Sequence, residues 1–145
     1  MKLMIINGPN INMLGIREKN VYGSTDFDEV CSYIKEEGKK RKHDVTLFQS
    51  NIEGEIINFL QKAYFEEYDG VIINPGAFTH YSYAIYDAIK SISIPTVEVH
   101  ISNIHSREDF RHKSVTAPAC VAQLCGCGKL GYVLAMDVLE DKLSK

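Results

Sequence analysis

The sequence predicts an α/β fold, because segments typical of strands alternate with segments typical of helices along all 145 residues. Short apolar runs such as Gly70–Asn74 have the composition of strands that are buried on both faces of a parallel sheet. Longer segments between them carry apolar residues at helical spacing, as Phe27, Val30 and Ile34 do. Turn residues separate the two kinds of segment. The pattern therefore favours an open parallel sheet with helices on both faces.

The first strand, Leu3–Ile6, leads into a connection that runs from Asn7 to Gly23. Connections in compact domains usually span only about 4 to 6 residues, so one of this length indicates a function. It combines amides and glycines with one guanidinium, Arg17, and one phenol, Tyr22. Glycines near both ends allow a loop to close over a site and reopen, as active-site lids do. We interpret this connection as a catalytic loop.

Capping signals and apolar runs define the next elements. Thr25 is the predicted N-cap of the first long helix, with Asp28 as the acidic residue three positions later. The second strand is Val45–Phe48, and Ser50 is predicted to cap the second helix by the same logic. Gly70–Asn74 is the third strand.

A proline–glycine turn leads into a third helix, which Pro95 ends. The fourth strand is Thr96–Ile101, and a weak fifth strand lies near Ala119–Leu124. The last helix begins near Lys129 and is predicted to be amphipathic, with Leu130, Val133, Leu134 and Val138 as its apolar stripe. Five strands with right-handed crossovers favour the flavodoxin-like order, a three-layer fold with a five-stranded parallel sheet. Neither a repeat nor a linker interrupts the chain, so residues 1–145 are predicted to form a single catalytic domain.

Charge and hydropathy exclude several classes of function. The net charge is −3, from 16 basic and 19 acidic residues, and no basic stripe indicates nucleic-acid binding. No apolar span reaches the roughly 18 residues of a membrane helix. The N-terminal apolar run ends at Asn7 and is too short for a secretory signal. We therefore expect a cytoplasmic protein that binds neither nucleic acid nor membrane.

The four cysteines are expected to be free thiols, because a cytosolic protein keeps its cysteines reduced. They are Cys31, Cys120, Cys125 and Cys127. The pair at 125 and 127 is interpreted as core packing on a strand, with metal ligation as the alternative. No histidine or second cysteine pair lies nearby at zinc-ligand spacing, which favours packing.

Residues 126–131 fit the GxGxxG pattern of dinucleotide-binding folds. That fingerprint requires a following strand with an acidic residue about 20 positions further on. Only 14 residues follow Gly131, so the requirement is not met. We interpret these glycines as close strand-to-helix packing.

Polar residues collect where the predicted strands end. Ligands of open parallel sheets bind beyond the carboxyl ends of the strands. Asn74 ends the third strand, and His100 and Ser102 end the fourth. Because side chains alternate along a strand, Glu98 and His100 face the same way, and the carboxylate can orient and charge the imidazole. A structural polar pair is the alternative, but its position at this edge favours a catalytic role.

Long motifs throughout the chain resemble those of one enzyme family. The matching segments are Asn7-Gly8-Pro9-Asn10 with Leu14-Gly15-x-Arg17-Glu18 and Tyr22-Gly23, then Ser50-Asn51-x-Glu53-Gly54-Glu55, Asn74-Pro75-Gly76-Ala77-x-Thr79-His80 with Ser82, and Glu98-Val99-His100-x-Ser102-Asn103-Ile104-x-x-Arg107-Glu108-x-Phe110-Arg111. In this order and spacing the sequence resembles the type II 3-dehydroquinate dehydratases.

The resemblance implies dehydration of 3-dehydroquinate to 3-dehydroshikimate in the shikimate pathway, without a metal or organic cofactor. Tyr22 matches the base that removes the proton alpha to the carbonyl, and Arg17 favours its phenolate form. Asn10 is suited to hold a water or to donate towards the enolate oxygen. His100, charged with help from Glu98, matches the acid that protonates the departing hydroxyl.

The resemblance also implies a set of substrate-binding residues. Backbone N–H groups of Ile101 and Ser102, together with Asn74, match the carboxylate site. His80 and Arg111 match the residues that hold the ring hydroxyls, and Arg107 assists near the base. Asp87 matches a residue that reaches the site of a neighbouring subunit, since the family assembles as dodecamers built from trimers.

Three other classes are weighed against this one. A receiver domain shares the fold but requires acidic residues after the first strand, where this chain has Asn7-Gly8-Pro9. A flavin-binding module requires a phosphate loop there that is rich in serine and threonine. A type I dehydroquinase needs a barrel of about 250 residues, and this chain is too short for one.

Overall fold

The computed structural model describes residues 1–16, 19–22 and 25–144, with the backbone alone for Lys19 and Tyr22. Within this part of the chain, five strands form one sheet in which every neighbouring pair is parallel. The strands are β1 (Lys2–Asn7), β2 (Asp44–Gln49), β3 (Gly70–Asn74), β4 (Thr96–His100) and β5 (Ala122–Cys125). Their order is β2-β1-β3-β4-β5, so the predicted flavodoxin-like sheet is confirmed.

Helices cover both faces of this sheet. They are α1 (Lys19–Tyr22), α2 (Phe27–Lys40), α3 (Glu53–Phe65), α4 (Tyr83–Ile92) and α5 (Leu130–Leu143). In the described residues, no helix combines the length and the apolar composition needed to span a membrane.

Two apolar clusters fill the space between the sheet and its helices, one on each face. Along β1, Leu3 and Ile5 join the cluster under α2 and α5, whereas Met4 and Ile6 join the cluster under α3 and α4. All four side chains are fully buried. Strand β3 is buried along its whole length, as expected for a strand covered on both faces. The three-layer prediction is therefore confirmed.

The start of α2 differs from the prediction by one residue. Asp26, rather than Thr25, is the N-cap, because its carboxylate accepts a hydrogen bond from the N–H of Glu29 at 2.8 Å. The Glu29 carboxylate accepts from the N–H of Asp26 in return, at 3.2 Å, which completes a capping box. Both Thr25 and Asp26 carry an acid three positions later, and the extended backbone of Asp26 decides between them.

Ser50 does not cap α3 as predicted. The N-cap position is Ile52, which offers no side-chain cap. Ser50 forms a turn ahead of the helix instead: its hydroxyl accepts from the N–H of Ile52 at 2.9 Å and donates to the Glu55 carboxylate. The third predicted helix is also divided, since a 3₁₀ segment over Gly76–His80 precedes α4.

Two C-terminal predictions need correction. All four cysteines are free, as expected, but Cys127 is exposed beyond the end of β5 and does not pack in the core. Helix α5 begins near the predicted position, and Val133 of its predicted stripe is buried, but Leu130 is 48% exposed. Tyr132, Met136 and Leu139 complete the buried face, because they pack in the same core cluster as residues of β1, β3 and β4.

Close backbone contact joins the ends of β1 and β3. The N–H of Gly8 donates to the carbonyl of Asn74 at 2.7 Å. A Cβ atom at Gly8 would lie 2.6 Å from the carbonyl oxygen of Pro75, so a side chain does not fit there. The absence of a Cβ at this position lets the loops after the two central strands meet at one edge of the sheet.

Gly8→Ala should therefore lower the free energy of unfolding by about 1–3 kcal/mol, because the added methyl displaces backbone that cannot move freely. Gly54→Ala is the matched control. Its Cβ would meet nothing within 4 Å, and it lies in α3, where alanine is favoured by up to about 1 kcal/mol. Urea unfolding of both variants checks this, and equal stabilities would contradict the packing argument.

Candidate active site

A cavity lies at the carboxyl edge of the sheet, between the loops that follow β1, β3 and β4. Its empty volume is about 680 Å³, including the opening to solvent. Eight residues singled out from the sequence line it: Asn10, Asn74, His80, His100, Ile101, Ser102, Arg107 and Arg111. Ile11, Leu14 and Ile104 add an apolar wall that the sequence did not indicate. The predicted convergence of polar groups at this edge is confirmed.

Glu98 and His100 form a buried pair on β4. Nε2 of His100 lies 3.0 Å from Oε2 of Glu98, so the predicted contact between the two side chains is present. Glu98 is fully buried, and His100 is 6% exposed where it lines the cavity. The imidazole therefore faces the cavity, while its carboxylate partner lies behind it in the protein interior.

Hydroxyl and amide groups surround the Glu98 carboxylate. Oε2 lies 3.1 Å from Oγ1 of Thr79, 3.0 Å from Oγ of Ser114 and 2.6 Å from Nε2 of Gln123. The Thr116 hydroxyl donates to Oε1. Burial raises the pKa of Glu98, but hydrogen bonds from His100, Thr116 and Gln123 outweigh burial and leave that pKa below its ordinary value.

Asn74 is held from below by a buried chain of polar side chains. Its Oδ1 accepts from the N–H of Gly76 at 3.1 Å, and its Nδ2 donates to the hydroxyl of Tyr132 at 3.3 Å. That hydroxyl donates in turn to Oδ1 of Asn7 at 2.5 Å. Complete burial raises the pKa of the Tyr132 phenol well above its ordinary value, so Tyr132 is a neutral structural donor.

Basic side chains line the other side of the cavity. Nε of Arg111 donates to Glu108 at 2.7 Å, and Nη1 of Arg107 lies 3.5 Å from the hydroxyl of Ser102. Nδ1 of His80 lies 2.8 Å from the carbonyl of Lys113, which assigns it as the donor nitrogen. Burial lowers the pKa of His80, and the nearby Arg111 charge adds to this, although the hydrogen bond to Lys113 opposes it.

The loop after β4 is held by the glycine-rich segment near the C-terminus. The N–H of Gly126 donates to the carbonyls of His100 and Ser102, and the N–H of Gly128 donates to that of Ile101. Gly126 has a φ of +83°, and its Cβ would lie 3.0 Å from that of Asn103. The predicted strand-to-helix packing is therefore wrong at Gly126, which packs on this loop instead.

Of the predicted residues that the structure describes, Glu98 and Asp87 do not line the cavity: Glu98 lies behind His100, and Asp87 is exposed on α4. Arg17 and the side chain of Tyr22 lie outside the described residues. Asn10 does line the cavity, and it adopts a left-handed backbone with a φ of 67° while its N–H donates to Asn51 at 3.0 Å.

Four residues that support this site were not predicted from the sequence. Gln123 lies opposite Glu98 in the register of β4 and β5, so the strand pairing would have indicated it. Ser114 and Thr116 follow the charged loop without any motif of their own. Tyr132 falls among the apolar residues of α5, and no signal in the sequence distinguishes it from them.

The described residues include no cluster of three or more histidine, cysteine or acidic side chains placed to hold a metal ion. The arrangement instead offers an imidazole next to a buried carboxylate, in a cavity that two guanidinium groups also line. Such a site can bind an anionic ligand and transfer a proton to it.

The lowered pKa of Glu98 predicts a specific pH dependence of stability. A carboxyl group whose pKa in the folded state lies below its unfolded value of about 4.3 stabilises the fold at any pH above that value. This stabilisation is lost as the pH falls through the folded-state pKa. Wild type should therefore exceed Glu98→Gln in free energy of unfolding by a constant amount above about pH 5. The difference should shrink on acidification below about pH 4. Urea unfolding of both proteins across this range, at fixed protein concentration, checks it; a pH-independent difference would contradict the assignment.

Comparison with known proteins gives a consistent result. The family model described as "Dehydroquinase class II" matches residues 1–140. The 3-dehydroquinate dehydratase of Clostridium beijerinckii is 70% identical over 146 residues, with all of both chains covered. That of Clostridium perfringens is 67% identical over 143 residues, with 99% of each chain covered. The crystal structure of type II dehydroquinase from Butyrivibrio crossotus is similar with a TM-score of 0.95, at 53% identity and 97% coverage of both chains. With its fold, its site and its sequence in agreement, this chain belongs to the class II dehydroquinase family.

Proposed function

We propose that the protein dehydrates 3-dehydroquinate in this cavity through an enolate intermediate, with Tyr22 as the base and His100 as the acid. The chain is a type II 3-dehydroquinate dehydratase, a hydro-lyase of the shikimate pathway, as its family match and its relatives indicate. The main support for the mechanism is the buried Glu98–His100 pair beside a cavity that two arginines line.

His100 is the acid that protonates the departing hydroxyl. Because Glu98 is ionised and only accepts hydrogen bonds, Nε2 of His100 carries the hydrogen between them. The carboxylate fixes the orientation of the ring. Nδ1 is then the nitrogen that delivers a proton to the substrate. Loss of water from a β-hydroxy ketone requires such an acid, since hydroxide is a poor leaving group.

Tyr22 is the base, and Arg17 is the group that favours its anion. A free tyrosine has a pKa near 10, so an appreciable phenolate population at neutral pH requires a shift of about three units, or roughly 4 kcal/mol. A neighbouring guanidinium supplies much of this, with Arg107 assisting. Asn10, which lines the cavity, holds a water or donates towards the enolate oxygen. These assignments rest on the match to the family motifs.

The substrate carboxylate is bound by the N–H groups of Ile101 and Ser102 together with Asn74. Support comes from their shared position on the cavity wall and from the amide of Asn74, which keeps a hydrogen beyond the one given to Tyr132. His80 and Arg111 hold the ring hydroxyls from the opposite side. Removal of the proton alpha to the carbonyl, followed by loss of the protonated hydroxyl as water, completes this reaction, so the proposal includes no metal or organic cofactor.

The enzyme is proposed to act in the cytoplasm as a homododecamer, a tetramer of trimers. Asp87 then completes the site of a neighbouring subunit, which agrees with its exposed position on α4. Tyr81 and Tyr83 precede it and are 58% and 68% exposed, as expected of residues that a neighbour covers. Light scattering of active enzyme tests the assembly, and a fully active monomer would contradict it.

Purified protein mixed with 3-dehydroquinate should develop the ultraviolet absorbance of a conjugated enone. His100→Ala should lower kcat by about 10²–10⁴-fold, because a positioned acid contributes this much, while the substrate remains bound through its carboxylate. His105→Ala is the control, since that histidine is exposed and does not line the cavity. A wild-type protein without turnover would refute the function; a His100 variant with near-normal kcat would refute only the role of the acid.

Arg17→Ala and Tyr22→Phe should both nearly abolish turnover, for different reasons. The phenylalanine variant has no base at any pH. The alanine variant keeps its phenol, whose pKa should rise towards about 10 without the cation. Its residual kcat should therefore increase from neutral to alkaline pH, while that of Tyr22→Phe stays flat. If the two profiles coincide, Arg17 acts by positioning rather than on the base.

A further inference from the structure

The Glu98 carboxylate is surrounded by polar side chains from several segments. Four polar atoms lie within 3.1 Å of Oε2, from Thr79, His100, Ser114 and Gln123. The Thr116 hydroxyl contacts Oε1. A buried carboxylate is stabilised only when its lone pairs are hydrogen-bonded. These side chains therefore decide whether Glu98 stays ionised beside His100.

The three hydroxyls form a linked cluster that we call the hydroxyl triad: Thr79, Ser114 and Thr116. Oγ1 of Thr79 lies 2.6 Å from Oγ of Ser114 and 2.9 Å from Oγ1 of Thr116. Backbone contacts hold the triad together, since the N–H of Val115 donates to the Thr79 carbonyl at 2.7 Å and the N–H of Ala117 donates to Ser114 Oγ at 3.0 Å. The triad is thus a fixed feature of the interior.

Gln123 approaches from the neighbouring strand. Its Cα is the register partner of Glu98, so both side chains project from the same face of the sheet. Nε2 of Gln123 lies 2.6 Å from Oε2 of Glu98. An amide nitrogen has hydrogens to give and no lone pair to offer, so in this orientation Gln123 donates to the carboxylate.

The donors around Glu98 favour its anion over its protonated form. A proton on Oε2 would oppose the Nε2–H of His100, which points at the same oxygen. A proton on Oε1 would require the Thr116 hydroxyl to rotate and accept instead of donating. Protonation therefore costs hydrogen bonds that the anion keeps, in an interior where an unmet donor is costly.

We propose that Gln123 and Thr116 are positioning residues of the dehydration. Their donors keep Glu98 an anion that accepts from Nε2 of His100, so that the catalytic proton is transferred from His100 to the substrate and not to Glu98. This inference rests on the acid role of His100 in the proposed function. A carboxylate without other hydrogen-bond donors would compete with the substrate for the proton of His100. A carboxylate that already accepts from Gln123 and Thr116 orients the imidazole but competes less for that proton.

Other titratable groups of the described structure face the pair as well. His80 approaches from the segment after β3, with the guanidinium of Arg111 beside it. Cys120 precedes β5 and Cys125 is the last residue of that strand. Burial raises the pKa of both thiols, that of Cys125 to about 11. The thiols are therefore neutral near pH 7 and add no charge that could replace the donors of Gln123 and Thr116.

The test compares Gln123→Met and Thr116→Val, which keep the side-chain size and remove the donor. In substrate-free enzyme with ¹³Cδ-labelled glutamate, the Glu98 resonance, assigned through Glu98→Gln, should titrate about one pH unit higher in each variant than in wild type. Turnover should fall by about tenfold, the rate equivalent of one charge-assisted hydrogen bond, with KM nearly unchanged because neither side chain lines the cavity.

Two further variants separate positioning from packing. Thr116→Ser keeps the hydroxyl and should restore the wild-type titration and kcat. Thr96→Val is the matched control: Thr96 is as deeply buried on β4, but its hydroxyl donates to the Ile94 carbonyl at 3.0 Å rather than to Glu98. It should leave the Glu98 titration where it is in wild type.

A Glu98 midpoint that stays at its wild-type pH in folded Gln123→Met would overturn the inference, even if Thr116→Val fails to fold. The same conclusion would follow if Thr116→Ser did not restore the wild-type titration of Glu98. Because this titration is measured without substrate, its outcome does not depend on the proposed function. Wild type without dehydratase turnover would refute that function, whereas an unmoved Glu98 midpoint would refute only the positioning role.

Discussion

A buried negative charge is the constraint on which the rest of the site depends. Placing an unpaired carboxylate in a protein interior costs several kcal/mol, so the fold must provide hydrogen-bond donors wherever Glu98 is kept ionised. Donors arrive from three separate places: the 3₁₀ segment after β3, the segment ahead of β5, and β5 itself. The position of His100 at the cavity agrees with this arrangement, since its imidazole is the fifth partner of the same carboxylate.

The loops around the cavity are placed by backbone contacts rather than by side chains. Gly8 brings the loop after β1 against the end of β3, and Gly126 brings the segment after β5 against the loop after β4. Both contacts require a residue without a Cβ, and both lie at the carboxyl edge of the sheet. Groups that bind a ligand through backbone N–H need this kind of support, because a shift of about 1 Å is enough to impair catalysis.

One buried polar group at the carboxyl edge of the sheet lowers the stability of the fold. Nδ2 of Asn7 is buried without a hydrogen-bond partner among the described residues, and such a group costs about 1–3 kcal/mol. Its neighbour Tyr132 uses its hydroxyl to connect Asn7 with Asn74. Polar side chains beneath a cavity hold the ligand-facing residue in one orientation, and this benefit to binding offsets the penalty of burying them.

The sequence alone determined the fold class, the order of the strands and most of the cavity lining. Periodicity identifies buried strands such as β3 because apolar content and length are local properties. The family motifs identified His100, Asn74 and Arg111 because those residues lie in long, specific segments. Local signals failed where two solutions fit equally well, as for the capping residues Thr25 and Asp26, or where exposure depends on distant contacts, as for Cys127 and Leu130.

Only the tertiary structure revealed how the catalytic pair is supported. Gln123, Ser114 and Thr116 are ordinary polar residues in the sequence, and Tyr132 is one aromatic residue in an apolar helix. Their roles arise from strand register and from contacts between segments up to 125 residues apart, as between Asn7 and Tyr132. The sequence around a residue indicates its secondary-structure propensity and its expected burial. It does not record which charge, brought close by the fold, that residue must satisfy.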